Sequence, residues 1–212
     1  MAKIVIFDMD GTLIDTKKDI TTSINYVRKL HHSLPPLKEQ YIVEAINMPV
    51  RNLPKLFYNT EIYDDKDRKL FEEHYFYECI KSPYLYDGIG ELLEQLRSLP
   101  TALNVATNAP TKFAQRMLQH LGVDNIFDTI IGADKAGASK PDPKMLSLIL
   151  SNYETAPQQE KIWMIGDNSK DIEAAKQIGV SSIFATWGFA NEGQGDFVAS
   201  HPLEVLDIIT KA

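Results

Sequence analysis

The chain has 212 residues, 22 of them basic and 29 acidic, a formal net charge of −7 and 44% hydrophobic residues. That balance fits a globular protein and argues against a nucleic-acid backbone or an anionic membrane as the main partner, while a small phosphorylated substrate needs only a local positive site. A single cysteine, Cys79, rules out an internal disulfide and suits a reducing cytoplasm; the apolar runs are too short to span a bilayer, the chain opens directly on a strand pattern with no signal peptide, and the oligomeric state stays open.

Ile4, Val5, Ile6 and Phe7 form an unbroken apolar run, the pattern of a short strand buried on both faces. The run stops at Asp8-Met9-Asp10-Gly11-Thr12. A side-chain period of two places Asp8 and Asp10 on the same side just past the strand. Like charges 4 Å apart repel by ~1 kcal/mol in water and by ~4 kcal/mol at an effective dielectric of ~20. Such a pair is either an ordinary acidic turn or a site that holds a cation or performs chemistry.

Residues 16–83 have a helical pattern throughout, with no strand. Thr16 and Asp19 have capping-box spacing, and Ile20, Ile24, Val27 and Leu30 recur at helical intervals. His31 and His32 are expected to form a frayed helix end. Short helices are expected over 38–47 and 50–58, divided at Met48-Pro49, and a long helix over 65–82. From Asp87-Gly88 onward helices alternate with strands: helix 89–98, strand 102–107, a helix from Pro110 to Gly122, strand 128–132, helix 143–152, strand 162–166, helix 170–178, strand 182–186 and helix 202–210. Trp187-Gly188-Phe189 and Asn191 to Asp196 are expected to form a mobile rim after the last strand.

This alternation predicts an α/β fold, a Rossmann-like doubly wound parallel sheet with helices on both faces. The all-helical block is inserted after the first strand. The expected domains are an α/β core over 1–15 and 84–212 and a helical cap over 16–83.

In an open α/β sheet, ligands bind beyond the carboxyl ends of the strands. Three expected strands end in polar chemistry there: Asp8-Met9-Asp10-Gly11-Thr12, then Thr107-Asn108, then Gly166-Asp167-Asn168-Ser169-Lys170-Asp171. Lys140, before Pro141, belongs to an extended loop on the same edge. Asp8, Asp10, Asp167 and Asp171 suit a hard divalent cation such as Mg2+. Thr107, Asn108, Lys140 and backbone N–H groups at Gly11 and Thr12 suit the oxygens of a phosphate. A carboxylate is a competent nucleophile in phosphoryl transfer, which fits Asp8, and a second carboxyl two residues on, Asp10, fits acid–base work.

These four pieces, in this order, resemble the motifs of the haloacid dehalogenase superfamily of phosphohydrolases. Asp8-x-Asp10-x-Thr12 is similar to the first motif, Thr107 to the second, Lys140 to the third and Gly166-Asp167-x-x-x-Asp171 to the fourth. The inserted helices resemble the cap of the phosphoglycolate phosphatase and β-phosphoglucomutase branch. The resemblance implies a nucleophilic Asp8, an acid–base Asp10, and Mg2+ held by Asp8, the Asp10 carbonyl and Asp167 with support from Asp171. It also implies that Thr107 and Lys140 stabilise the phosphoryl group. Ala45 to Arg51 resembles the branch's substrate-facing cap loop, which makes Arg51 a substrate-binding candidate, although Asn47 stands where a glycine is common. The expected activity is Mg2+-dependent hydrolysis of a small phosphorylated metabolite. A sugar phosphomutase, a nucleoside monophosphate phosphatase and an aspartate phosphoacceptor module with little turnover are the alternatives.

Overall fold

Strand β1 (Lys3–Phe7) has no solvent side: Ile4 to Phe7 are at most 2% exposed. The computed structural model, which describes residues 3–48, 50–153 and 161–211, places it in the middle of a six-stranded sheet. The other strands of that sheet are β4 (Thr101–Thr107), β5 (Thr129–Gly132), β6 (Ile162–Gly166), β7 (Ser181–Ala185) and β8 (Phe197–Ala199). Their order is β5-β4-β1-β6-β7-β8 and every pairing is parallel. Two-residue strands flank the helical insertion, β2 (Ile14–Asp15) before it and β3 (Tyr84–Leu85) after it.

Parallel strands need crossovers, and the helices that make them cover the sheet. These are α5 (Ile89–Arg97), α6 (Thr111–His120), α7 (Ala133–Ala136), α8 (Lys144–Leu150), α9 (Ser169–Gln177) and α10 (Pro202–Lys211). Ile4 and Ile6 of β1 pack with Ile162 and Met164 of β6, Met145, Leu146 and Ile149 of α8, and Ala174 and Ala175 of α9. On α5, the fully buried Ile89, Leu92, Leu93 and Leu96 recur at helical spacing, and the helix packs on β4 and α10.

The chain divides into two compact units, Met1–Asp15 with Leu85–Ala212, and Thr16–Tyr84. The second contains α1 (Lys17–His32), α2 (Glu39–Asn47), α3 (Leu53–Tyr58) and α4 (Asp65–Glu78). Its core joins Ile24, Val27, Ile42, Ala45, Phe57 and Tyr58. The buried Arg28 donates from Nε and Nη2 to the Pro35 carbonyl at 2.9 and 2.8 Å and from Nη1 to the Phe57 carbonyl. The expected break at Met48-Pro49 lies partly outside the described residues, because Pro49 is not among them.

Several local expectations are corrected. Thr16 makes no side-chain cap on α1; the Asp19 carboxylate accepts the Ser82 N–H at 3.2 Å instead. His31 and His32 are not a frayed end. His31 Nδ1 and His32 Nε2 each lie 2.8 Å from an oxygen of Asp67, which is 3% exposed. His32 also stacks on Tyr58 with ring centroids 5.1 Å apart. A buried carboxylate shared by two rings joins the end of α1 to the start of α4. Removing it by Asp67→Ala is expected to cost about 2 kcal/mol, within the range for losing buried, charge-assisted hydrogen bonds. Urea unfolding followed by circular dichroism measures this, and a loss below ~0.5 kcal/mol would mean the clasp contributes little.

Among the described residues, β2, β3, the 3₁₀ turn Asp124–Ile126, α7 and β8 carry no readable sequence signal. Each is two to four residues long, too short for a helical or strand period to repeat. With β8 in place, β7 is not the last strand. The polar loop before β8 is also tied down: Asp196 accepts from the Ser182 N–H at 2.9 Å and hydroxyl at 2.8 Å, and its own N–H donates back to that hydroxyl at 3.0 Å.

Candidate active site

The order of strands reverses at β1, with β4 on one side and β6 on the other. Phe7 sits level with both Val105 and Ile165, so the three strands end nearly flush. The Asp8 N–H still donates to the Ile165 carbonyl at 2.8 Å, which holds the first residue beyond the strand in the ladder. A tight turn follows, in which the Met9 carbonyl accepts from the N–H groups of Thr12, Leu13 and Ile14. Gly11 adopts φ +89°, a conformation that side chains disfavour. A Cβ there would also collide with the Asp167 carboxylate, so glycine brings the turn against β6.

Three carboxylates meet at this edge. Asp8, Asp167 and Asp171 each offer an oxygen within 4.8 Å of the others, and all three are buried. The Lys140 ammonium, 3% exposed, joins them. It lies 2.6 Å from Asp8 Oδ1 and 2.6 Å from Asp171 Oδ1, and donates to the Ala106 carbonyl at 2.6 Å. Burial alone would lower the lysine pKa; Asp171 and Asp8 outweigh it and hold the group above the usual lysine range. Burial, reinforced by the charges of Asp8 and Asp171, pushes Asp167 well above the usual carboxylate range. Asp171 is pushed up to about 6 by burial, against the opposing effect of Lys140. Three carboxylates facing one ammonium leave an excess of negative charge in a desolvated pocket. That donor set, all hard oxygen, fits Mg2+.

The remaining site residues take more specific places than their spacing indicated. Thr12 Oγ1 lies between two of the carboxylates, 3.4 Å from Asp8 Oδ2 and 3.3 Å from Asp167 Oδ1. The sequence gives the backbone at Gly11 and Thr12 to a phosphate. In the structure their N–H groups donate to the Ile14 and Met9 carbonyls at 3.0 and 3.2 Å, so the turn itself uses them. Asp10 stands outside the three-carboxylate cluster and accepts from Thr107 Oγ1 at 3.5 Å. Thr107 also accepts the Ala109 N–H at 3.1 Å.

Asn108 binds the main chain of Lys140 from both ends of its amide. Its Oδ1 accepts the Lys140 N–H at 2.8 Å and its Nδ2 donates to the Lys140 carbonyl at 3.1 Å. This positions the lysine and occupies the amide expected to meet phosphate. Asp171 is similarly engaged: Oδ1 faces Lys140, and Oδ2 accepts the Asn168 N–H at 3.1 Å in the capping box that starts α9. Arg51 lies in the helical unit, where its guanidinium donates to the Ile46 carbonyl. Burial lowers its pKa, with partial opposition from Tyr63.

The sequence reading missed the contribution of the segment after β7. The Phe189 and Ala190 N–H groups donate to Asp167 Oδ2 at 2.7 and 3.4 Å. The available signal was an aromatic–glycine–aromatic triplet, Trp187-Gly188-Phe189, at the carboxyl end of a strand on the edge that bears the other motifs.

Known proteins resemble this chain over nearly its whole length. The family described as haloacid dehalogenase-like hydrolase matches residues 5–185. An N-acetylmuramic acid 6-phosphate phosphatase from Pseudomonas aeruginosa is 29% identical over 219 residues, covering 99% of this chain and 96% of that protein. A phosphoglycolate phosphatase from Aquifex aeolicus is 29% identical over 212 residues, covering 98% and 96%. Among solved structures, a predicted phosphoglycolate phosphatase from Haemophilus somnus superposes with a TM-score of 0.84 at 26% identity, over 98% of this chain and 97% of that one.

Proposed function

The chain belongs to the haloacid dehalogenase-like hydrolase family, and from that premise we propose that it is a Mg2+-dependent phosphatase of the phosphoglycolate phosphatase type, acting on a small phosphorylated metabolite through an aspartyl-phosphate at Asp8. The observation that carries the proposal is the Lys140 ammonium 2.6 Å from Asp8 in a pocket shared with Asp167 and Asp171. A buried cation beside the nucleophile can donate to the phosphoryl oxygens once substrate arrives.

Asp8 and Asp167 would hold Mg2+, with the Asp10 carbonyl as a third donor. When bound, the ion neutralises charge on the phosphoryl oxygens and orients them. The Asp8 carboxylate attacks phosphorus and the ester bond breaks. The departing oxygen takes its proton from the Asp10 carboxyl, releasing an alcohol. Asp10, now ionised, takes a proton from water, whose oxygen attacks the phosphorus of the aspartyl-phosphate. Phosphate leaves and Asp8 is restored. Throughout, Thr107 and Lys140 donate to the phosphoryl oxygens. Asp171 and Asn108 keep Lys140 in place, so Asp171 serves the lysine more directly than the metal. Arg51 is the candidate for substrate recognition from the helical unit, which would act as the cap.

The test is a panel of phosphorylated metabolites assayed for phosphate release with Mg2+ and with chelator. It includes 2-phosphoglycolate, N-acetylmuramic acid 6-phosphate, hexose phosphates and nucleoside monophosphates. Metal-dependent release from at least one is expected. A product that retains its phosphate would indicate a mutase instead, and a lasting phosphoenzyme without turnover a phosphoacceptor module. Metal binding is measurable separately. Mg2+ at about 100 times its Kd should stabilise the folded state by ~2.7 kcal/mol, raising the melting temperature by roughly 5–10 °C for a chain of this size. No shift at ~10 mM would count against the metal site.

A further inference from the structure

Trp187 to Ala190 follows β7 and meets the β1 turn and Asp167 through three kinds of contact. The Trp187 indole N–H donates to the Thr12 carbonyl at 3.0 Å. The Phe189 and Ala190 N–H groups converge on Asp167 Oδ2, at 2.7 and 3.4 Å. Between them, the Gly188 backbone packs so closely that a Cβ would overlap the Gly11 carbonyl oxygen and lie 2.7 Å from Asp167 Oδ2. The requirement for glycine at 188 is therefore one of space. The segment touches both halves of the pocket, the turn that follows Asp8 and the carboxylate that ends β6, but contributes no titratable side chain to either.

A carboxylate that accepts two backbone N–H groups on one oxygen cannot rotate freely about its last torsion. With Oδ2 of Asp167 held this way and Oδ1 facing Thr12 Oγ1, the orientation of the group is determined before any cation arrives. Outer contacts of this kind typically change metal affinity by 10- to 100-fold. We propose that Trp187 to Ala190 is a positioning segment for the metal site, with Trp187 and Gly188 as positioning residues that hold Asp167 and the Gly11-Thr12 turn in register for a divalent cation. The inference rests on the phosphatase reading above. A segment that merely filled space would affect folding and leave metal affinity unchanged.

The experiment compares the parent protein with Trp187→Phe and Gly188→Ala. Trp187→Phe keeps an aromatic ring and deletes the indole donor; Gly188→Ala forces the segment away from Gly11 and Asp167. Direct binding of Mn2+, used in place of Mg2+, is followed by electron paramagnetic resonance, with melting curves in chelator as the control for folding. Affinity should fall by about 3- to 10-fold in Trp187→Phe and by about 10- to 100-fold in Gly188→Ala. In turnover assays the half-saturating Mg2+ concentration should rise in parallel, while kcat recovers at excess metal. Folded variants that bind Mn2+ within twofold of the parent would overturn the proposal, and Trp187→Phe alone decides it if Gly188→Ala does not fold. A parent protein that binds no Mn2+ would overturn the metal-dependent reading and this inference together, whereas parent binding with unchanged variants removes only the latter.

Discussion

Asp8→Asn should lower kcat by about 10⁴-fold or more while leaving the fold intact, because a neutral amide cannot serve as the attacking oxygen in phosphoryl transfer. The side chains have nearly the same shape, and an amide oxygen can still accept from Lys140, which retains Asp171 and the Ala106 carbonyl. The substitution also removes one of three mutually repelling buried carboxylates. The melting temperature in chelator is therefore expected to stay level or rise. Steady-state phosphate release with a substrate from the panel, alongside thermal melts, checks both halves of the expectation. Activity within tenfold of the parent would place the nucleophile elsewhere.

Lys140→Met should damage stability and activity together. The ammonium is buried and contacts Asp8, Asp171 and the Ala106 carbonyl, each at 2.6 Å. Removing one partner of a buried ion pair leaves the other charge uncompensated, which typically costs ~3–5 kcal/mol. For a chain of this size, a fall in melting temperature of about 10 °C or more in chelator is expected. Mg2+ should restore part of that stability by occupying the negative pocket. It should not restore turnover, because the donor to the phosphoryl oxygens remains absent. A Lys140→Met protein as stable as the parent would show that the ammonium does not balance the carboxylates.

How much of this site was legible in the sequence depended on whether a residue's role was local. Asp8 follows an apolar run, Lys140 precedes a proline, and Asp167 and Asp171 are separated by one helical turn; each is a short-range pattern. The strand and helix periods are similarly local, so β1, β4, β6 and most crossover helices were legible to within a few residues. Those periods become visible only when repeated, which is why the three-residue β8 and the four-residue α7 escaped.

The sequence by itself determined the α/β alternation, the position of the helical insertion and the set of charged residues that end the central strands. The tertiary structure alone decided which group bonds to which. It gave the Asn108 amide to the Lys140 main chain, the Gly11 and Thr12 N–H groups to their own turn, and both oxygens of Asp67 to neighbouring histidines. It also brought Trp187 to Ala190 onto the Thr12 carbonyl and Asp167. The physical reason is that an apolar period arises from the regular geometry of neighbouring residues, whereas a hydrogen bond depends on ångström-level placement of groups from distant segments. Lys140 and Asp8 are 132 positions apart, and only the register of β1 with its neighbours brings them within reach.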